Sequence, residues 1–234
     1  MLVVMCACAL TGAASAPYAH TTNVRPLDAR HSPYVGGNAS PQLPTGHPGR
    51  IAVIARARYR AGDFAITVRN NTPTTVMDIR VEAVAISAAS GKVVATGTSQ
   101  GLHPFVVRPG EISFGYVYFP GTADSGFPPN TRFKLTTIRP SARTNFRDLL
   151  IAHSTLDQTL ITGDGVTGVA RNPRAVPLKT DSAIAACFTE TGKLLYTYAQ
   201  EQNQARVRPH GVLRFIVGVY DVCPVYLVAA AGRI

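Results

Sequence analysis

Apolar and polar residues alternate in short runs along most of this chain beyond residue 50. Ile51, Val53 and Ala55 alternate, as do Phe64, Ile66 and Val68. Val76, Ile79, Val81, Val84 and Ile86 continue with one slip in phase, the kind of slip a β-bulge produces. Val93-Val94, Phe105 with Val107, then Ile112, Phe114, Tyr116 and Tyr118, and finally Phe133, Leu135, Thr137 and Ile138 complete a first set. A second set follows: Leu160 to Val169, Leu178 to Phe188, Leu194/Tyr196/Tyr198, Leu213/Phe215/Val217/Val219 and Cys223 to Ala231. Period two is the signature of a strand with one face in a core. Runs about 8–12 residues apart, separated by Gly, Pro and Asn, predict an antiparallel β-sandwich.

The two sets repeat each other. Asn70, the Ser90-Gly91-Lys92-Val93-Val94 turn and Val107-Arg108-Pro109-Gly110 have counterparts in Asn172, Thr191-Gly192-Lys193-Leu194-Leu195 and Val207-Arg208-Pro209-His210-Gly211. Asn70 to Gly91 spans 21 residues and Asn172 to Gly192 spans 20; Gly91 to Pro109 is 18 and Gly192 to Pro209 is 17. The fold class expected is therefore all-β: two tandem antiparallel β-sandwiches, over residues 50–141 and 156–234. Asn suits a strand end, where its side chain bonds nearby backbone. Gly91 and Gly192 suit tight hairpins. Repetition of turn and core residues speaks for structure. The differences between copies are the better place to seek function, namely the paired cysteines, His210 read as an insertion before Gly211, and the Tyr196/Tyr198 strand.

Between the sets, residues 142–155 hold Phe146, Leu149, Leu150 and His153 at helical spacing. They read as a linker turn or short helix, with a strand entering the second unit as the alternative. Residues 17–49 carry Pro at 17, 26, 33, 41, 44 and 48 and no apolar periodicity. Such a segment has little to bury against the entropy of ordering, so it reads as a disordered stalk. Residues 1–16 read as an export signal, with an apolar Leu2–Leu10 run and an Ala14-Ser15-Ala16 cleavage site. The run is shorter than the roughly 20 residues a membrane-spanning helix needs. Cys8 follows a small residue and is a minority candidate for lipidation.

Removal of residues 1–16 leaves two cysteines, Cys187 and Cys223. An even count in an exported chain predicts a disulfide. Net charge is +10 and comes mainly from Arg, with Lys only at 92, 134, 179 and 193. The densest groups are Arg56, Arg58 and Arg60, and Arg206 and Arg208. In a strand, alternation puts the first three on one side. They are candidate contacts for an anionic ligand, although a solvated face is the commoner meaning of such a pattern.

Enzymatic signatures are missing from the sequence. It has no Gly-x-Ser-x-Gly, no His-Glu-x-x-His and no phosphate-cradling loop. His103 and His153 with a cysteine make a weak zinc set. Asp157 and Asp164, next to Gly163 and Gly165, are too few carboxylates for a convincing Ca²⁺ loop. No catalytic residue, metal or cofactor is expected.

Asn70, Asn71-Thr72, Gly91-Lys92-Val93-Val94 and Pro109-Gly110-Glu111 together resemble the FxLYD-type domain, a small immunoglobulin-like sandwich of secreted bacterial proteins and lipoproteins. Val84-Ala85-Ile86-Ser87-Ala88 stands where that family carries Phe-x-Leu-Tyr-Asp, and Ala185-Ala186-Cys187-Phe188-Thr189 stands there in the second copy. The resemblance implies a binding or spacer module without catalytic residues. The expected function is an exported, non-enzymatic binding, adhesion or scaffolding module of the bacterial cell envelope. The alternative is a basic protein that binds anionic wall polymer or a lipid surface through Arg-rich strand faces. The expected partner is a protein or an envelope polymer, with no nucleic acid and no transmembrane span in the mature chain.

Overall fold

The computed structural model describes residues 32–122, 126–138, 144–157, 165–202 and 206–234, the Asp181 side chain excepted. Residues 1–31, which include the expected signal and Cys8, lie outside the described residues. A short β1 (Gly36–Gly37) comes first. The first repeat follows as β2 (Ile51–Arg56), β3 (Asp63–Asn70), β4 (Val76–Met77), β5 (Arg80–Ile86), β6 (Val93–His103), β7 (Val106–Val107), β8 (Ile112–Tyr118) and β9 (Arg132–Ile138). The second comprises β10 (Phe146–Asp148), β11 (Leu150–Asp157), β12 (Gly165–Arg171), β13 (Leu178–Phe188), β14 (Leu194–Glu201), β15 (Arg206–Val207), β16 (Val212–Gly218) and β17 (Val225–Arg233). All pairings are antiparallel.

The repeat is a repeat of topology. β2-β3-β8 corresponds to β11-β12-β16, and β6-β5-β9 to β14-β13-β17. The seam between the two halves differs. In the first unit, β6 pairs with β8 and joins all six strands into one curled sheet. In the second, Gln200 of β14 and Gln202 just beyond it bridge to β16 instead. Gln202 donates to the Ile216 carbonyl and accepts from its N–H, and Gln200 accepts from the Gly218 N–H at 2.9 Å.

The repeated asparagines are buried pins. Asn70 Nδ2 donates to the Thr74 and Val107 carbonyls at 2.8 and 2.9 Å, and its Oδ1 accepts from the Thr72 N–H. Asn172 does the same with Val176, Arg208 and Arg174. His210 is not an insertion. The Gly211 N–H bonds the Arg208 carbonyl as the Glu111 N–H bonds Arg108, so His210 takes the place of Gly110. Both are left-handed, with φ of 54° and 82°.

Three apolar clusters separate four sheet layers. Phe64, Ile66 and Val68 of β3 meet Val81, Ala83 and Ala85 of β5 in the first unit. Val166, Leu213, Phe215 and Val217 meet Ala183, Ala185, Tyr226 and Val228 in the second. A third cluster lies between the units, where Ala65, Ile112 and Phe114 pack on Ile184, Ala186, Phe188, Leu227 and Ala229. β13 and β17 are thus covered on both faces, which is why they read as almost unbroken apolar runs.

Several expectations need correction. β5 keeps its phase, with Ala83 and Ala85 turned inward and Val84 and Ile86 less buried; its irregularity falls at Ala85/Ile86 instead. Small alanines leave room there for a packed group of rings, Phe64, Phe119 and Phe133, with centroids 5.3–5.7 Å apart. Residues 142–155 do not form a helix in their described part: 146–148 and 150–157 are strands, so the second unit begins earlier than residue 156. β10 caps the outer edge of β17, where hydrogen bonding to Gly232 and its neighbours outweighs the helical spacing of the apolar residues.

The described part of the expected stalk, residues 32–49, is ordered structure. β1 pairs with Val228 and Leu227 of β17. A Cβ at Gly37 would collide with the Tyr226 carbonyl, so glycine is required for this approach. Asn38 clamps the entry to β17, accepting from the Tyr226 N–H and donating to the Pro224 carbonyl, both at 2.9 Å. Leu43 then packs on the cluster between the units. Asn71 reaches the Thr45 and His47 carbonyls at 2.7 and 3.1 Å. Backbone and amide bonds fix this strap, and such bonds leave no apolar period to read.

Asp148 is a second tie between the units. It lies on β10 with 1% of its surface exposed, and its carboxylate accepts the Phe105 and Val106 N–H groups of the first unit at 2.7 and 2.9 Å. Burial pushes it up to about 6, against the pull of those two bonds and of Arg174.

Candidate functional site

The interface between the units is apolar over much of its length and phenolic at one margin. On β3 and β8, Asp63 and Ala65 lie opposite Tyr118 and Tyr116. Strand alternation puts Tyr116 and Tyr118 on the face that carries Ile112 and Phe114 toward the second unit. On β14, Thr197 faces the first unit and donates to the Gly115 carbonyl at 3.1 Å. Tyr196 and Tyr198 lie opposite Cys187 and Ala185, on the second core's side of this edge strand. Tyr220 and Asp221 come from the connection between β16 and β17.

These segments enclose two adjoining concavities of about 240 and 500 Å³. Both are lined by Asp63, Thr197, Tyr198 and Tyr220. The smaller adds Arg58, Arg60, Tyr196 and Asp221; the larger adds Tyr116, Tyr118 and Gln200. Five of the chain's nine tyrosines therefore line one cleft, and they come from both units. The Tyr198 and Tyr220 rings meet edge to face with centroids 5.8 Å apart, forming a corner.

A charged network crosses the cleft. Asp221 accepts from Arg60 at 2.6 Å and from the Tyr198 hydroxyl at 2.7 Å. The Tyr198 hydrogen bond, followed by the Arg60 guanidinium, holds the Asp221 carboxyl below the usual carboxylate range. Burial and then the Asp221 bond push the Tyr198 phenol up. The Arg60 guanidinium also sits 5.4 Å from the Tyr196 ring centroid, a cation–π contact. Asp63 behaves differently. Burial pushes it up to about 6, with only the nearby Arg60 charge acting against this. It makes no ion pair within 4 Å among the described residues.

The residues singled out in the sequence are distributed as follows. Cys187 and Cys223 form a disulfide that ties β13 to the segment entering β17. Arg56, Arg58 and Arg60 do not share a strand face, because β2 ends at Arg56 after a register shift at Val53/Ala55. Arg56 stacks over Phe64 and Phe133, about 5 Å from each ring centroid, while Arg58 and Arg60 turn to the cleft. Arg206 pairs with Lys179 on β13, six residues from the partner of Tyr198, or roughly 20 Å along the strand. Arg206 and Arg208 are thus away from the Arg56–Arg60 group.

His103 is buried, close to the Gly101 carbonyl and Ser182, whereas His153 is exposed on β11. Asp157 ends β11, and Asp164 lies outside the described residues. Among the described residues no three His, Cys, Asp or Glu side chains cluster as metal ligands would. No described helix is long and apolar enough to cross a membrane. Asp63, Tyr116, Tyr118, Tyr220 and Asp221 escaped sequence reasoning as a site. The signal available was a pair of alternating tyrosines on each of two strands, Tyr116/Tyr118 on β8 and Tyr196/Tyr198 on β14, which do not occupy equivalent places in the two copies.

The chain matches no protein-family model, and no curated protein proved similar to it.

Proposed function

We propose that this protein is an exported, non-enzymatic binding module of the bacterial cell envelope that takes its ligand in the tyrosine cleft. The observation that carries this reading is the convergence of five tyrosines from two units on one groove. Tyrosine offers a rigid, amphipathic contact surface at low entropic cost, which is why binding surfaces favour it. The disulfide and the strand-and-turn grammar shared with FxLYD-type domains support export and the envelope setting. The Arg60–Asp221–Tyr198 network supports binding over catalysis, because each of its groups is occupied by the others. The Arg-face alternative is weakened by the same geometry, since Asp221 neutralises Arg60 and Arg56 is stacked on Phe64 and Phe133.

The chain contains no Trp, so its emission comes from tyrosine, and five of its nine tyrosines line the cleft. Titration with solubilised envelope polymers and envelope proteins should change this emission saturably. The double variant Tyr198→Ala/Tyr220→Ala should bind at least tenfold more weakly. Undiminished binding by the variant would rule the cleft out.

A further inference from the structure

Within this cleft the structure contains a worked example of how it treats a positive charge. Arg60 places its guanidinium over the Tyr196 ring and against the Asp221 carboxylate, with Tyr198 as the second donor to that carboxylate. Ring, carboxylate and cation together form a complete recognition unit. The adjoining concavity of about 500 Å³ repeats two of these parts. Asp63 is its carboxylate, and Tyr116, Tyr118, Tyr198 and Tyr220 are its rings. Among the described residues no lysine or arginine lines it.

Resting on the cleft being the binding site, we infer that the larger concavity takes an organic cation, an alkylammonium group held over the tyrosine rings and against the Asp63 carboxylate. A half-buried carboxylate with no ion pair among the described residues favours a weakly hydrated cation, whose desolvation costs less than that of a small inorganic ion. Tyrosine faces supply the remaining attraction through their negative quadrupoles. The 500 Å³ volume suits a small head group with part of its chain. Gln200 and Thr197 line the same space and offer hydrogen bonds to a primary ammonium. The groups facing Asp63 are Arg58 and Arg60 on its own side, Tyr116 and Tyr118 on β8, Tyr198 on β14, and Tyr220 with Asp221 beyond β16. Burial pushes Asp63 up to about 6, so a cation should bind more tightly as it ionises.

The test is tyrosine fluorescence and calorimetric titration of the intact protein with tetramethylammonium and with a short lysine-containing peptide, against equal sodium chloride. A neutral trisaccharide serves as the competing class. Saturable cation binding at pH 8, roughly tenfold weaker at pH 5, and lost by at least tenfold in Asp63→Asn supports the assignment. A preference for the quaternary ion assigns a trimethylammonium head group, and a preference for the peptide assigns a lysine side chain. Tyr220→Ala, at an exposed position, should weaken the cation without disturbing the fold. Cation binding that is insensitive to both Asp63→Asn and pH overturns the inference. Binding of the trisaccharide without the cation overturns it while leaving the cleft as a binding site. No response to any probe removes both readings.

Discussion

Asp148 should make the stability of this protein depend on pH in a direction unusual for a carboxylate. Its folded-state titration near 6, against an ordinary value of 3.8, means that the folded chain holds the proton more tightly than the unfolded one. Stability from this group is therefore fully present below pH 3.8 and is lost as the pH rises through 6. Between pH 7.5 and 4.5 the two titrations differ by a factor of about 27, or about 2 kcal/mol. In a chain of this size each kcal/mol moves the midpoint by about 2–4 °C, so the expected shift is about 4–8 °C. Asp63 acts in the same direction but is only half-buried, so solvent screening reduces its share. Asp221, held low, acts in the opposite direction.

The measurement that isolates Asp148 is a comparison of thermal and urea unfolding of wild type and Asp148→Asn at both pH values. The variant should be less stable at each pH, because its amide NH₂ faces a backbone N–H that the carboxylate accepted. On going from pH 7.5 to 4.5 the wild type should gain about 2 kcal/mol relative to the variant. Parallel pH profiles for the two proteins would refute the reasoning, since the carboxyl could not then titrate differently in the folded and unfolded chains.

Other parts of the fold make equally direct predictions. Removing the Cys187–Cys223 bridge by Cys→Ala at both positions frees a loop of 36 residues, and chain entropy puts the loss at about 4 kcal/mol, to be read by urea unfolding. His210→Gly should stabilise the chain by about 1 kcal/mol in the same assay, because a side chain at φ 54° is strained. Gly110→Ala should cost about as much in the first unit, although open space surrounds it.

Much of the fold was legible in the sequence, for physical reasons that can be named. Period-two patterning marked strands such as Ile112–Tyr118 because one of their faces is wet or polar. Turn glycines marked the hairpins because left-handed φ at Gly91 and Gly192 demands them. The four-layer stack was not read, although Ala183–Phe188 and Val225–Ala231 showed it as unbroken apolar runs. Such a run says that both faces are covered without saying by what. The strap over residues 32–49 was missed because Asn38 and Asn71 fix it through single amides. The cleft was missed because Asp63, Tyr116, Tyr198 and Tyr220 lie on four separate segments, each unremarkable alone. The Tyr196/Tyr198 strand stands out in the sequence as a difference between the copies, and Arg58 and Arg60 as basic residues, but nothing there brings them together.

The middle of the stack bears on how such a protein can change over generations. Tandem copies of a small fold are usually exchangeable, and one can be lost, multiplied or transplanted. Here Ile184, Phe188 and Leu227 of the second copy rest on Ala65, Ile112 and Phe114 of the first. A second copy released alone would carry a bare apolar sheet into water, the kind of surface that draws chains into aggregates. The two halves must therefore be inherited, expressed and engineered as a pair.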